Sequence, residues 1–126
     1  MTFDYTLRPG LATSTNALLD AVGCPDVRTH WQPDPTLSPA DALGELRSVA
    51  PRLESLHVFS WGATGIDDRR PLAAGGDLWP EALAVAAGTP GPRPHAALCE
   101  YVRGDDPDQL VADVATLRRW IDDLAA

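Results

Sequence analysis

Lysine is missing from this chain; all ten basic residues are arginines. Schiff-base chemistry by the chain alone is therefore excluded, as is a phosphate-binding loop that depends on lysine. Cysteine is scarce. Cys24 and Cys99 have no CxxC spacing and read as two reduced thiols, one in a loop and one in a strand. An apolar strand raises a thiol pKa, which argues against Cys99 as a nucleophile. No apolar run approaches the roughly 20 residues needed to cross a bilayer, so no membrane partner is expected. The opening MTFDYTLRPG lacks the basic and then apolar regions of a secretory signal, and the expected location is cytoplasmic. Positive charge is also short: ten basic against 18 acidic residues leave a net charge of -8. Phosphate contacts need Lys and Arg, so nucleic acid is not an expected partner, whereas a metal cation or a neutral sugar is compatible.

What is present reads as one domain, residues 1–126, of alternating strands and helices. The expected strands are 2–7, 27–31, 56–61 and 95–102. The expected helices are 14–22, 39–49, 78–87 and 107–125. Thr13 or Ser14 suits the first helix as a cap and Gly23 as its stop. Ser38-Pro39-Ala40-Asp41 combines a capping serine, proline at the first position and an acid in the first turn. Pro51 ends or kinks that helix. Residues 62–76 read as a long polar connection, and Asp77 as the cap of the third helix. In the last helix Leu110, Val114, Leu117, Ile121 and Leu124 fall at helical spacing, with Asp113 off the stripe. Trp79 and Trp120 read as helix core residues. Four consecutive βα units imply an α/β fold with a parallel sheet and right-handed crossovers. If the units curve, helices cover one face and the other is exposed.

Parallel α/β folds place their chemistry at the carboxyl ends of strands. Here the apolar runs end in Asp4, His30 to Gln32, His57 and Glu100. A lone strand histidine such as His57 is ordinarily a core residue bonded to a carbonyl. Carboxylates in FDYT and ALCEYV are costly to bury unless paired or bound to a cation. Together these positions offer nitrogen and oxygen ligands suited to Mg, Mn, Co or Zn. His30 can ligate through its imidazole and Gln32 through its amide oxygen, while Asp34 reads as a solvated loop acid. Trp31 and Trp61, near strand ends, suit stacking on a sugar face or ordinary packing. Arg70 suits either a distal hydroxyl or phosphate, or a loop salt bridge with Asp67 or Asp68.

The segments FDYT, VRTHWQP, LHVFSWG, RPLAAGGDLWPEAL and ALCEYVRGDDPDQLVADVATLRRWI, in that order, resemble the sugar phosphate isomerase/epimerase family of xylose isomerase-like TIM barrels. RPLAAGGDLW resembles that family's Pro-Leu-Gly-x-Gly-Asp pattern after its seventh strand. The likeness covers nearly the whole chain but only strands five to eight, the C-terminal half of the barrel. It implies four metal ligands: Asp4 in place of a Glu, Gln32 in place of an Asp, then His57 and Glu100. The Gln32 departure removes a negative charge from the ligand set. The resemblance implies metal-assisted proton transfer next to a carbonyl through an enediolate. Asp4 and Glu100 would be the proton-transferring pair, and His30, Trp31, Trp61 and Arg70 would contact substrate.

Two functions follow as expectations. One is a metal-dependent isomerase or epimerase of a sugar or sugar phosphate. Its barrel would be closed by a second copy or by a partner chain supplying the N-terminal half. The other is a non-catalytic, truncated or degenerate half barrel acting as an interaction module.

Overall fold

Ser38 starts a helix in the way its chemistry dictates. Its hydroxyl accepts the Asp41 N–H at 3.1 Å, with Pro39 at the first helical position. That helix, α2, spans Pro39–Val49 as expected, and a 3-10 turn at Ala50–Arg52 follows where Pro51 forbids continuation. The computed structural model describes residues 2–3, 11–92 and 94–125, with side chains from residue 14 onward. The first helix, α1, covers Leu11–Val22 and so begins earlier than expected; Thr13 and Ser14 lie inside it rather than capping it. It ends at Gly23, whose φ of 64° is the left-handed stop that glycine adopts without steric cost. Asn16 donates to the Ser48 carbonyl at 2.9 Å, and Arg52 pairs with Asp20, tying α1 to α2 and to the strand that follows.

The strands are β1 (Thr2–Phe3), β2 (Arg28–Trp31), β3 (Leu53–Val58) and, later in the chain, β6 (Ala96–Cys99). They form one parallel sheet in the order β1-β2-β3-β6, with His30 opposite Ser55, Trp31 opposite Leu56, and His57 opposite Leu98. The expected strand at 56–61 begins earlier, at Leu53, and stops at Val58. Residues 4–7 of the first expected strand lie outside the described residues. The sheet is open and not a closed barrel.

Residues 62–76 are not an irregular loop. β4 (Ser60–Gly62) and β5 (Gly65–Arg70) form an antiparallel hairpin, and a 3-10 turn at Leu72–Gly75 leads out of it. Polar GIDDRR lacks the apolar alternation of a half-buried strand. Instead, Asp68 folds back to accept from the turn at Ala63 and Thr64 and pairs with Arg70 at 2.9 Å. The Arg70 guanidinium holds that carboxyl below the usual range. Gly62 leaves room for this pair: a Cβ there would run into the Asp68 carboxylate and push the Asp68 and Arg70 side chains aside.

Helix α3 (Trp79–Ala87) has Leu78, not Asp77, at its capping position, without a side-chain cap. Helix α4 (Pro107–Leu124) is capped by Asp106, which accepts the Asp108 N–H at 2.9 Å.

The core lies between the helices and one sheet face: Trp31, Leu56 and Val58 meet Leu46, Trp79, Leu83 and Leu117, with Ala97 and Cys99 partly buried beside them. The expected α4 stripe is rotated. Leu110, Ile121 and Leu124 are exposed, whereas Asp113, Thr116, Leu117 and partly Trp120 face inward. The cause is Asp113, whose buried carboxylate accepts the Leu72 N–H at 3.0 Å and the Gln109 amide at 2.8 Å. The opposite sheet face carries His30, Ser55, His57 and Leu98; on it Ala96 is exposed and Leu98 is 50% exposed.

Candidate metal and catalytic site

Parallel register brings the carboxyl ends of β2, β3 and β6 side by side. His57, one residue before the end of β3, points to the face away from the helical core because Leu56 and Val58 point into it. Glu100 is the first residue past β6. Its N–H donates to the Val58 carbonyl at 2.9 Å, which extends the ladder by one bond and holds Glu100 level with the end of β3. Gln32 is the first residue past β2. His57 Nδ1 then lies 3.2 Å from Glu100 Oε2 and 3.3 Å from Gln32 Oε1. His30 stacks on His57 with ring centroids 4.1 Å apart and planes 20° from parallel. The Gln32 amide oxygen can only accept, so its bond to the ring assigns the proton to Nδ1; Glu100 Oε2 lies at ion-pair distance from the same nitrogen and has no hydrogen-bond partner among the described residues.

Of the residues singled out in the sequence, the structure brings His30, Gln32, His57 and Glu100 together. Asp4 lies outside the described residues. The remaining candidates fare differently. Trp31 is fully buried in the core, edge-on to Trp79 at 6.0 Å, and so is no sugar platform. Trp61 is half-buried against Phe59 and lines a cleft of about 160 Å³ with Ser60, Asp77 and Leu37. Arg70 takes its other expected role, the exposed pair with Asp68. Asp34 is not solvated: it is 2% exposed. One of its oxygens accepts from the Thr36 N–H at 2.8 Å and the Thr36 hydroxyl at 2.7 Å. This Asx turn draws the carboxylate into the loop after β2. Its second oxygen, like the Gln32 Nε2, is buried with no hydrogen-bond partner among the described residues.

Sequence reasoning missed what packs beside the strand end: the Arg69 guanidinium lies over the ring of Tyr101, and the signal was position, since Tyr101 directly follows Glu100.

Among the described residues no group of three His, Cys, Asp or Glu side chains could hold a metal ion. The local donor set is one imidazole, one carboxylate and one amide oxygen. No protein-family model, no curated protein and no solved structure matches this chain.

Proposed function

We propose that the chain is a metal-dependent isomerase- or epimerase-like protein for a sugar or sugar phosphate, related to the xylose isomerase-like barrels, and that its four βα units are a half barrel. The observation that carries this reading is that His57 Nδ1 lies 3.2 Å from Glu100 Oε2 and 3.3 Å from Gln32 Oε1 at the ends of adjacent parallel strands. Ligands sharing one cation at bonds of about 2.1 Å stand roughly 3.0–3.4 Å apart in octahedral or tetrahedral arrangements. The separations of 3.2 and 3.3 Å fit that requirement. The donor chemistry suits Mn, Mg, Co or Zn. The open sheet, with helices over one face and Leu98 half exposed on the other, is what half of a barrel leaves for a second copy or partner chain to cover.

When bound, the metal would polarise the substrate's carbonyl and hydroxyl oxygens. Glu100 and Asp4 are assigned the proton-transferring pair, one removing the proton from the carbon beside the carbonyl and the other returning one. His57 stands 3.2 Å from Glu100 as a fellow donor to the cation, and His30 holds the imidazole plane by stacking.

Mn²⁺ binding measured by electron paramagnetic resonance, with sedimentation at each metal concentration, tests the site and the assembly together. Deuterium uptake from heavy water into a panel of aldoses and ketoses tests the chemistry. A metal-stabilised dimer that exchanges substrate protons supports the proposal; a monomer that ignores metal sinks it.

A second reading is an interaction module without catalysis. Neutral Gln32 favours it, as do Ile121 and Leu124, which line an open apolar groove of about 580 Å³ with Leu83 and Ala86. A metal-independent dimer without proton exchange would select it.

A further inference from the structure

Tyr101 has a φ of 47°, in the left-handed region that bulky side chains avoid. Its neighbour in sequence is Glu100. Such a conformation persists only when its surroundings over-determine it, and here two contacts to the ring and two bonds from Arg69 to the following turn do so. The Tyr101 ring meets Phe59 edge-on, with centroids 4.9 Å apart and planes at 74°. The Arg69 guanidinium carbon lies 5.6 Å from the centre of the same ring. Arg69 also donates to the Asp105 carboxylate at 2.6 Å and to the Val102 carbonyl at 3.4 Å. The turn it grips is itself bent, with Gly104 at φ 68° and Asp105 at φ 50°.

Arg69 belongs to β5, in the hairpin inserted after β3, whereas Tyr101 to Asp105 follow β6. The hairpin therefore clamps the segment that carries Glu100. A left-handed residue directly after Glu100 turns the chain away from the strand direction, leaving the carboxylate behind at the strand end beside His57.

We infer that Arg69 and Tyr101 are positioning residues for Glu100: the hairpin-borne arginine and the ring it covers hold the carboxylate against His57. This rests on the reading of Glu100 as a functional carboxylate, although the contact it explains exists without metal.

The test uses Arg69→Met, Tyr101→Ala, Tyr101→Phe and Glu100→Gln in the full chain. In metal-free protein, the nitrogen and proton resonances of the His57 ring are read by NMR. Arg69→Met and Tyr101→Ala should shift them toward the Glu100→Gln values, while Tyr101→Phe, which keeps the ring, should retain the wild-type values. Mn²⁺ affinity should fall about tenfold in Arg69→Met, the scale for residues that orient a ligand from behind. In a Glu100→Gln background the same change should cost nothing further, because its effect passes through Glu100. Should Tyr101→Ala fail to fold, Arg69→Met on its partly exposed hairpin decides the matter. Unchanged His57 resonances in Arg69→Met, or equal losses in both backgrounds, would overturn the inference. Wild-type protein that binds no Mn²⁺ would overturn the metal reading, with the metal-free resonances still deciding the role of Arg69.

Discussion

His57 Nδ1 and Glu100 Oε2 stand 3.2 Å apart across β3 and β6, and the acceptor Gln32 Oε1 at 3.3 Å sets the ring proton on Nδ1. A cation using that nitrogen takes its lone pair, so the ring proton must move to Nε2. The nitrogen resonances of the His57 ring should therefore change from the Nδ1–H to the Nε2–H pattern on adding a diamagnetic divalent cation such as Zn²⁺. Long-range nitrogen–proton correlation spectra of the ring distinguish the two tautomers directly. A ring that keeps its proton on Nδ1 with the cation present would remove that nitrogen from the ligand set.

Gln32 is 2% exposed, and its Oε1 faces His57. Gln32→Asp places a buried carboxylate beside His57 and adds a negative charge next to that of the partly exposed Glu100. Without metal, a new charge at this buried position, with a like charge nearby, lowers stability. With metal, the added charge raises affinity. The thermal midpoint of the variant should lie below that of the wild type in chelator and rise further on adding Mn²⁺. A variant whose midpoint ignores Mn²⁺ would show that Gln32 does not border a cation site.

Trp31 separates packing from ligand binding. Its ring is fully buried against Trp79. Trp31→Ala should destabilise by about 3–5 kcal/mol, and Trp31→Phe by less, since an aromatic ring still fills most of the space. Urea unfolding measures both. Mn²⁺ affinity in the folded Phe variant should equal that of the wild type.

The legible parts of the fold were those where local chemistry and burial agree. α2 could be bounded to the residue because Ser38, Pro39 and Pro51 act on the backbone directly. The site cluster was legible because His57 and Glu100 interrupt apolar strands, where polar groups need a reason. The hairpin was not legible, because its strands are held by Asp68, Arg70 and the turn amides rather than by apolar alternation. The α4 face was misread because a buried carboxylate, Asp113, outranks Leu110 and Ile121 in facing the core. Periodicity scores side chains for water aversion and cannot see an acceptor needed by the Leu72 N–H forty-one positions away. Trp31 failed for a similar reason: a strand end exposes one face and buries the other, and the register alone decides which.

Asp113 gives the next expectation. Asp113→Ala leaves the buried Leu72 N–H without its acceptor and should cost about 1–3 kcal/mol in urea unfolding. Asp113→Asn keeps a carbonyl oxygen for that bond and should cost less. Equal losses for the two would mean that the negative charge, not the hydrogen bond, holds α4 in its rotation.

Cys99 carries the alkaline side of the stability profile. Burial raises its thiol above the ordinary range, and the Asp113 charge raises it further. A raised acid pKa means that the folded protein keeps this proton where the unfolded chain has lost it. Stability from this group is therefore full below the unfolded thiol pKa and declines as pH climbs from there through the folded value. Cys99→Ala should flatten that decline, although its lost packing lowers stability at every pH. Alkylation gives an independent reading. Cys24 is exposed and should react with iodoacetamide first, with Cys99 slower at every pH. Asp113→Asn should speed Cys99 labelling by removing the nearby charge while leaving Cys24 unaffected. Equal labelling of the two thiols at neutral pH would show that the β6 edge opens far more readily than its partly buried thiol implies.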